Sequence, residues 1–187
     1  MDERRMTEKL RQLLTPKRFK HSLAVRNEAV RLAQHYNCNV QKAAIAGLLH
    51  DCAKDLRKRQ MLQLCNEFGI VLDDICKREK QLIHGPLGAR IAKEQFEIQD
   101  EDILEAIYFH TTAKEDMKIL TKIIYLADYI EPGRHFYGVE SIRAIAYHNL
   151  NKAVLSAIDS TIKHVIAKGR LIHPRTIEAR NHILLYE

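Results

Sequence analysis

A chain of 187 residues, 46% apolar and 29% charged, has the composition of an ordinary folded domain and the length to bury a substantial core. That excludes a disordered or low-complexity chain. Lys and Arg number 30 against 24 Asp and Glu, a formal charge of +6 with a pI near 9.1. Such a balance favours anionic partners such as nucleotides or RNA, or else describes a solvated basic surface, since the excess is spread along the chain without a basic block.

No apolar run approaches the ~18 residues of a bilayer span, and the opening MDERRMTEKLRQLL lacks a signal-type apolar core, so no membrane anchor and a cytoplasmic location are expected. Only seven glycines and four prolines punctuate the chain, and no strand-like alternation appears between turn signals. The expected architecture is all-α, a single domain over 1–187. In chain order the helical period predicts helices at roughly 7–14, 17–36, 40–53, 56–68, 71–80, 87–97, 100–112, 116–131, 139–148, 150–168 and 174–185. Asn39 reads as the N-cap of the third, Pro86 as a first-turn residue of the sixth, and Gly69 and Gly169 as stops. Between the eighth and ninth lies EPGRHFYG, Glu131 to Gly138, either a functional loop of one compact domain or the start of a C-terminal helical extension. Cys38, Cys52, Cys65 and Cys76 form no C-x-x-C pair, and free thiols are expected.

The chemistry begins at GLLHDCAKDL, where the apolar run Ala43 to Leu49 meets His50 and Asp51. Other metal-type side chains share apolar helical stripes. His21 aligns with Val25, Ala29 and Leu32; His110 closes the stripe Ile103, Ala106, Ile107; Asp128 follows Leu120 and Ile124 at intervals of four. His84, in Ile-His-Gly-Pro, is expected in a short turn just before the sixth helix. A lone histidine on an apolar face is more often a hydrogen-bonded core residue than a ligand. Two inward carboxylates alter that balance, because an unpaired buried Asp costs several kcal/mol. No Lys or Arg shares these stripes to neutralise both; Lys54 reaches only Asp51. Imidazole and carboxylate without thiolate suit a first-row divalent ion, iron first and manganese next, ahead of zinc. His21, His50, Asp51, His84, His110 and Asp128 exceed what one open catalytic ion takes. Two ions sharing Asp51 are therefore expected, with His21, His50 and Asp128 on one side and His84 and His110 on the other. Such pairs lie about 3.5–4 Å apart and activate a water for phosphoryl displacement.

This ordered set, with the segments SLAVRNEAVRLA, GLLHDCAKDL, HGPLGARIA, FHTTA, YLADYIEPGR and HPRTIEARN, resembles the HD-domain metallophosphohydrolases and, over almost the whole chain, the bacterial YqeK family. The resemblance implies an HD-type helical bundle, a di-iron centre, and hydrolysis of diadenosine tetraphosphate into two ADP. All six ligands carry over by position. It further implies substrate contacts from Arg134, in the loop after Asp128, and from Arg175, in the HPRT segment. Independently, Arg18 and Lys54 stand three residues from His21 and Asp51, where a cation on the same helical face meets phosphate. For all four the alternative is a surface charge or a salt bridge. Asp51 and Lys54 are the catalytic candidates, one bridging the ions and the other stabilising charge on the transferred phosphoryl group.

The expected partner is thus a dinucleoside polyphosphate or an ADP-like nucleotide. Two other classes stay open. Another HD enzyme, a nucleotidase or cyclic-nucleotide phosphodiesterase, would use the same ligands. A non-enzymatic nucleotide- or RNA-binding regulator is disfavoured by the lack of a basic cluster interleaved with aromatics, and nucleic acid is not the expected partner. A P-loop is absent. A homodimer is expected only from the general frequency of twofold assemblies. His35, His135, His148, His164 and His182 receive no role and His173 is undecided. Phe136 and Tyr137 are the loop's aromatic candidates for stacking on a base, with loop anchoring the alternative.

Overall fold

The computed structural model describes residues 1–187 and contains helices only: α1 (Glu3–Leu13), α2 (Pro16–His35), α3 (Val40–Leu49), α4 (Lys58–Glu67), α5 (Asp74–Arg78), α6 (Lys80–Gln95), α7 (Glu101–Phe109), α8 (Ile119–Ile130), α9 (Val139–Ala146), α10 (Leu150–Ala167) and α11 (Pro174–Tyr186). Five form the centre. α2 packs on α3 and α8, α3 on α7 and α8, and α7 on both α6 and α8. α4 and α5 cover α6, while α9 and α10 pack on α8 and α11 on α10, forming the C-terminal extension. A continuous apolar cluster joins these layers, from Met6 and Leu10 on α1 to Ile158 on α10 and Ile183 on α11. No helix is long and apolar enough to cross a membrane, and all four cysteines are free.

The punctuation acts as its chemistry dictates. Asn39 caps α3, its side-chain oxygen accepting from the Lys42 amide at 3.0 Å, a device worth about 1 kcal/mol. Gly69 and Gly169 follow α4 and α10 at φ 66° and 60°, the left-handed conformation that terminates helices. α1 begins at Glu3 instead of residue 7, because Asp2 caps it by accepting from the Arg5 amide at 2.8 Å. Only Met6 and Leu10 of this helix are buried, too sparse a pattern to reveal its first turn.

Three departures shape the site. α3 stops at Leu49, so His50 to Asp55 form a turn and not the last turn of a helix. The helix expected at 71–80 shrinks to the five residues of α5. α6 begins at Lys80, placing Pro86 inside it and His84 on the helix itself, not in a turn before it. Pro86 forgoes the hydrogen bond that an N–H would make, but His84 to Ala89 are all buried and packing carries the helix through. A Cβ on Gly85 would stand 2.5 Å from the Tyr108 carbonyl oxygen. α6 and α7 therefore approach more closely than any side chain permits, which brings His84 against His110.

Candidate metal centre

Each central helix delivers one part of a buried cluster. His21 comes from α2, His50 from the end of α3, Asp51 from the following turn, His84 from α6, His110 from the end of α7, and Asp128 from α8. The structure brings all six together. The ligand atoms of His21, His50 and Asp51, of His50, His110 and Asp128, and of Asp51, His84 and His110 lie within 4.8 Å of one another in each group.

His50 and His110 use one local device twice. Each follows the last residue of its helix and folds its ring back, so that Nδ1–H donates to the carbonyl three residues earlier, Gly47 at 2.7 Å and Ile107 at 2.6 Å. These are carbonyls that a helix end leaves without an intrahelical donor. A carbonyl only accepts, so the proton stays on Nδ1 and the Nε2 lone pair points inward. His21 is set the same way by a carboxylate: its Nδ1–H donates to Glu131 Oε1 at 3.1 Å. Its Nε2 then faces Asp128 Oδ1 at 3.0 Å, off the line of a ring N–H, so no aligned hydrogen bond joins them. Burial lowers the His21 pKa, but the neighbouring Asp128 and Asp51 carboxylates together outweigh it and leave the ring above its ordinary value. Burial lowers His50 to about 4; burial and then the Lys54 charge lower His84 to about 3. Both rings are neutral, and available as ligands, near pH 7.

Asp51 lies between two pairs of imidazoles. Its Oδ1 is 3.0 Å from His84 Nε2 and 3.5 Å from His110 Nε2; its Oδ2 is 3.6 Å from His50 Nε2 and 3.8 Å from His21 Nε2. Burial, at 2% exposure, pushes its carboxyl pKa up. The facing imidazoles and the Lys54 ammonium outweigh that and hold it well below the usual range. Asp128 is likewise held low, burial being overcome by His21 and Arg134. Both carboxylates are ionised at neutral pH.

Both carboxylates, expected from sequence to lack enough cationic partners, have them from other elements. Arg18 Nη1 lies 2.9 Å from Asp51 Oδ2, Lys54 Nζ 3.7 Å from Asp51 Oδ1, and the Arg134 guanidinium binds Asp128 Oδ1 while its Nε donates to the Asp128 carbonyl at 2.8 Å. Counting along one helical stripe misses arms that cross from other elements. The carboxylates thus have cationic partners without an ion; the Nε2 atoms of His21 and His50 have none. His21 Nε2, His50 Nε2 and Asp51 Oδ1 are buried without a hydrogen-bond partner, and His84 Nε2 and His110 Nε2 meet at 2.9 Å. Buried polar atoms in native proteins are nearly always satisfied. Inward lone pairs on two imidazole pairs, with a shared carboxylate between them, are a donor set that divalent first-row ions satisfy.

The expected phosphate contacts divide. Arg18 and Arg134, with Lys17, Lys20 and Phe136, line a cleft of about 890 Å³ between the start of α2 and the loop after α8. Lys54 sits over the centre itself, its Nζ 2.9 Å from His84 Nε2. Arg175 is set apart on the α7 side, its guanidinium 5.9 and 5.8 Å from the Tyr108 and Phe109 ring centres. Phe136 packs edge-on against Tyr129 at 5.0 Å, whereas Tyr137 is fully exposed and outside the cleft.

Sequence reasoning passed over Glu131 and left His173 open. Glu131 is buried and orients His21; the available signal was its place one helical turn after Asp128. His173 caps α11, its Nδ1 accepting from the Arg175 amide at 3.2 Å, while Nε2–H donates to Asp73 Oδ2 at 2.8 Å. Cys76 lies beside them, but Asp73 already caps α5 through the Cys76 amide, and burial pushes the thiol up to about 11. That trio is a tie between α5 and α11. His173→Ala should lower thermal stability by about 1 kcal/mol, the scale of a lost cap, read as a fall in melting temperature.

Fold and centre together define a divalent-metal-binding helical domain. The HD domain family profile matches residues 18–133. The chain is 42% identical to the symmetrical bis(5'-nucleosyl)-tetraphosphatase of Halalkalibacterium halodurans, over 92% of this chain and 91% of that one. It is 35% identical to the Bacillus subtilis protein of the same name, over 94% of each. A crystal structure of a predicted HD superfamily hydrolase involved in NAD metabolism, from Clostridium acetobutylicum, superposes with a TM-score of 0.96 at 48% identity, covering 100% of this chain and 99% of that one. The chain belongs to the HD-domain family, as a hydrolase of the YqeK type.

Proposed function

We propose that this protein is a metal-dependent hydrolase that cleaves diadenosine tetraphosphate symmetrically into two ADP. The observation that carries the hydrolytic centre is Asp51, whose two oxygens each address a separate imidazole pair. The name shared by its relatives supports the substrate and the symmetrical cut. In this reading His21, His50, Asp51 and Asp128 hold one ion, and Asp51, His84 and His110 hold the other, iron in preference to manganese. Bound there, the ions supply the positive charge that polarises the phosphoanhydride and activates water.

The chain's own residues do the rest. Gly47 and Ile107 carbonyls and the Glu131 carboxylate fix three imidazoles in the ligand tautomer. Arg18 and Arg134 present charge at the cleft mouth beside Asp51 and Asp128, where the polyphosphate enters. Lys54 offers an ammonium to the phosphoryl group under attack. The cleft accommodates one nucleoside diphosphate half, and Arg175 is assigned to the other half on the α7 side. Residues 1–187 act as one unit, since α10 and α11 share the apolar cluster with the centre. A cytoplasmic location and a homodimer complete the reading.

Elemental analysis of anaerobically purified protein should give close to two ions per chain, iron predominating. Full activity with trace metal would remove the mechanism. With diadenosine tetraphosphate in oxygen-18 water, the first products should be ADP alone, with label on the terminal phosphate of one of the two. AMP plus ATP would overturn the symmetrical cut. Turnover of mononucleotides or cyclic nucleotides without tetraphosphate cleavage would favour another HD phosphohydrolase.

A further inference from the structure

We propose that Arg143, on α9 and beyond the HD-domain match, is a positioning residue that fixes the 130–134 turn and through it the wall of the substrate cleft. One guanidinium donates to three carbonyls of that turn: Nε to Ile130 at 2.8 Å, and Nη2 to Glu131 at 2.7 Å and to Arg134 at 2.9 Å. Its Nη1 is held by Glu140, one turn earlier on the same helix. The three carbonyls bracket the segment from which two functional side chains leave. Glu131 leaves toward His21 and Arg134 toward Asp128.

Within the turn and from its two functional side chains come the other bonds that hold it. Within it the Arg134 amide donates to the Glu131 carbonyl at 2.9 Å, and the Gly133 amide donates to the Glu131 carboxylate. Both bonds are internal; the ties to α8 and α2 run from the Glu131 amide to the Ala127 carbonyl and through the Arg134 and Glu131 side chains themselves. Arg143 adds a tie from α9, which packs on α8, and it is the one that holds the turn's carbonyls without using the functional side chains. Five N–H donors in a rigid fork suit this task and a lysine ammonium does not reproduce it. Because residues 131–136 line the cleft, loosening the turn displaces Arg134 and frees the carboxylate that orients His21. The extension that follows the HD-domain match is thereby built into the site.

The inference rests on the reading of the cleft as the nucleotide site, and its test separates the two. Arg143→Lys should keep its helical circular dichroism, speed hydrogen exchange of the 131–136 amides, and weaken ADP binding by calorimetry about tenfold, as expected for a displaced binding group. KM for diadenosine tetraphosphate should rise similarly, more than kcat falls. In a cycle with Arg134→Gln the two losses should be markedly less than multiplicative, because Arg143 acts through Arg134. Added guanidinium should restore part of the ADP affinity of Arg143→Ala, and methylammonium should not. Unchanged loop exchange, fully multiplicative losses, or a lower melting temperature with normal ADP affinity would each overturn the proposal. A wild-type protein that binds ADP but leaves the tetraphosphate intact would instead overturn the hydrolase reading, since exchange and calorimetry need no turnover.

Discussion

Asp51→Asn is expected to lose at least one ion per chain and to lower turnover by at least about 10³-fold, the scale of several kcal/mol of charge stabilisation at the reacting phosphoryl group. The substitution keeps the shape of the side chain and changes two things. It removes the negative charge that faces four imidazoles, and it replaces one acceptor oxygen by an NH₂ donor. Directed at His84 Nε2, 3.0 Å from the present Oδ1, that donor would occupy the lone pair an ion needs. Directed instead at His50 and His21 it would meet two more lone pairs and the Arg18 guanidinium, which lies 2.9 Å from Oδ2. Neither rotamer restores a shared carboxylate. Arg18 also loses the negative charge it pairs with, so some loss of stability accompanies the change, and circular dichroism serves as the control for folding. Retention of two ions and of turnover by a folded Asp51→Asn protein would show that Asp51 does not join the two halves of the centre.

The parts of this centre differ in how far the sequence announces them. The apolar stripes that include His21 and Asp128 and lead to His110 follow from the helical period alone, because two of these side chains lie on the inward face of their helix and His110 directly follows the end of α7. His50 and Asp51 stand out for the opposite reason: polar residues directly follow an apolar run. What periodicity cannot register is anything that crosses between elements. Arg134 returns to Asp128 from a loop, Arg18 reaches Asp51 across 33 positions, and Glu131 orients a histidine 110 positions away. The carboxylates are therefore neutralised by residues no stripe reveals, and the buried, unpartnered Nε2 atoms of His21 and His50 are what point to an ion. Pro86 misled for a different reason. Proline is a good signal for a first helical turn only where packing does not decide, and the close approach of Gly85 to the Tyr108 carbonyl extends α6 back through it.

Lys54→Met is expected to lower kcat/KM by about 10²-fold or more while leaving two ions bound and the melting temperature within a few degrees of wild type, on the scale of a lost electrostatic donor. The turn after α3 places this lysine one reverse turn beyond Asp51, its amide donating to the Asp51 carbonyl at 2.9 Å. The ammonium touches His84 at both ring nitrogens, 3.3 Å to Nδ1 and 2.9 Å to Nε2. Burial lowers its pKa, and Asp51 and Asp128 offset part of that. Two roles fit this position. As a structural cation, Lys54 would balance Asp51, and methionine would leave a buried carboxylate short of one partner. As a phosphate ligand, it would yield the His84 lone pair to an ion and turn its charge on the substrate, which alone needs it there. The phosphate role is the one this prediction tests: Arg18 approaches Asp51 Oδ2 at 2.9 Å, against 3.7 Å from Lys54 to Oδ1, so the carboxylate keeps its closer partner when the lysine is removed. Methionine retains most of the apolar stem, and packing around the turn should persist. A sharp fall in melting temperature with normal kcat/KM for the folded fraction would assign Lys54 to the fold. Unchanged turnover with both ions bound would remove it from the chemistry altogether.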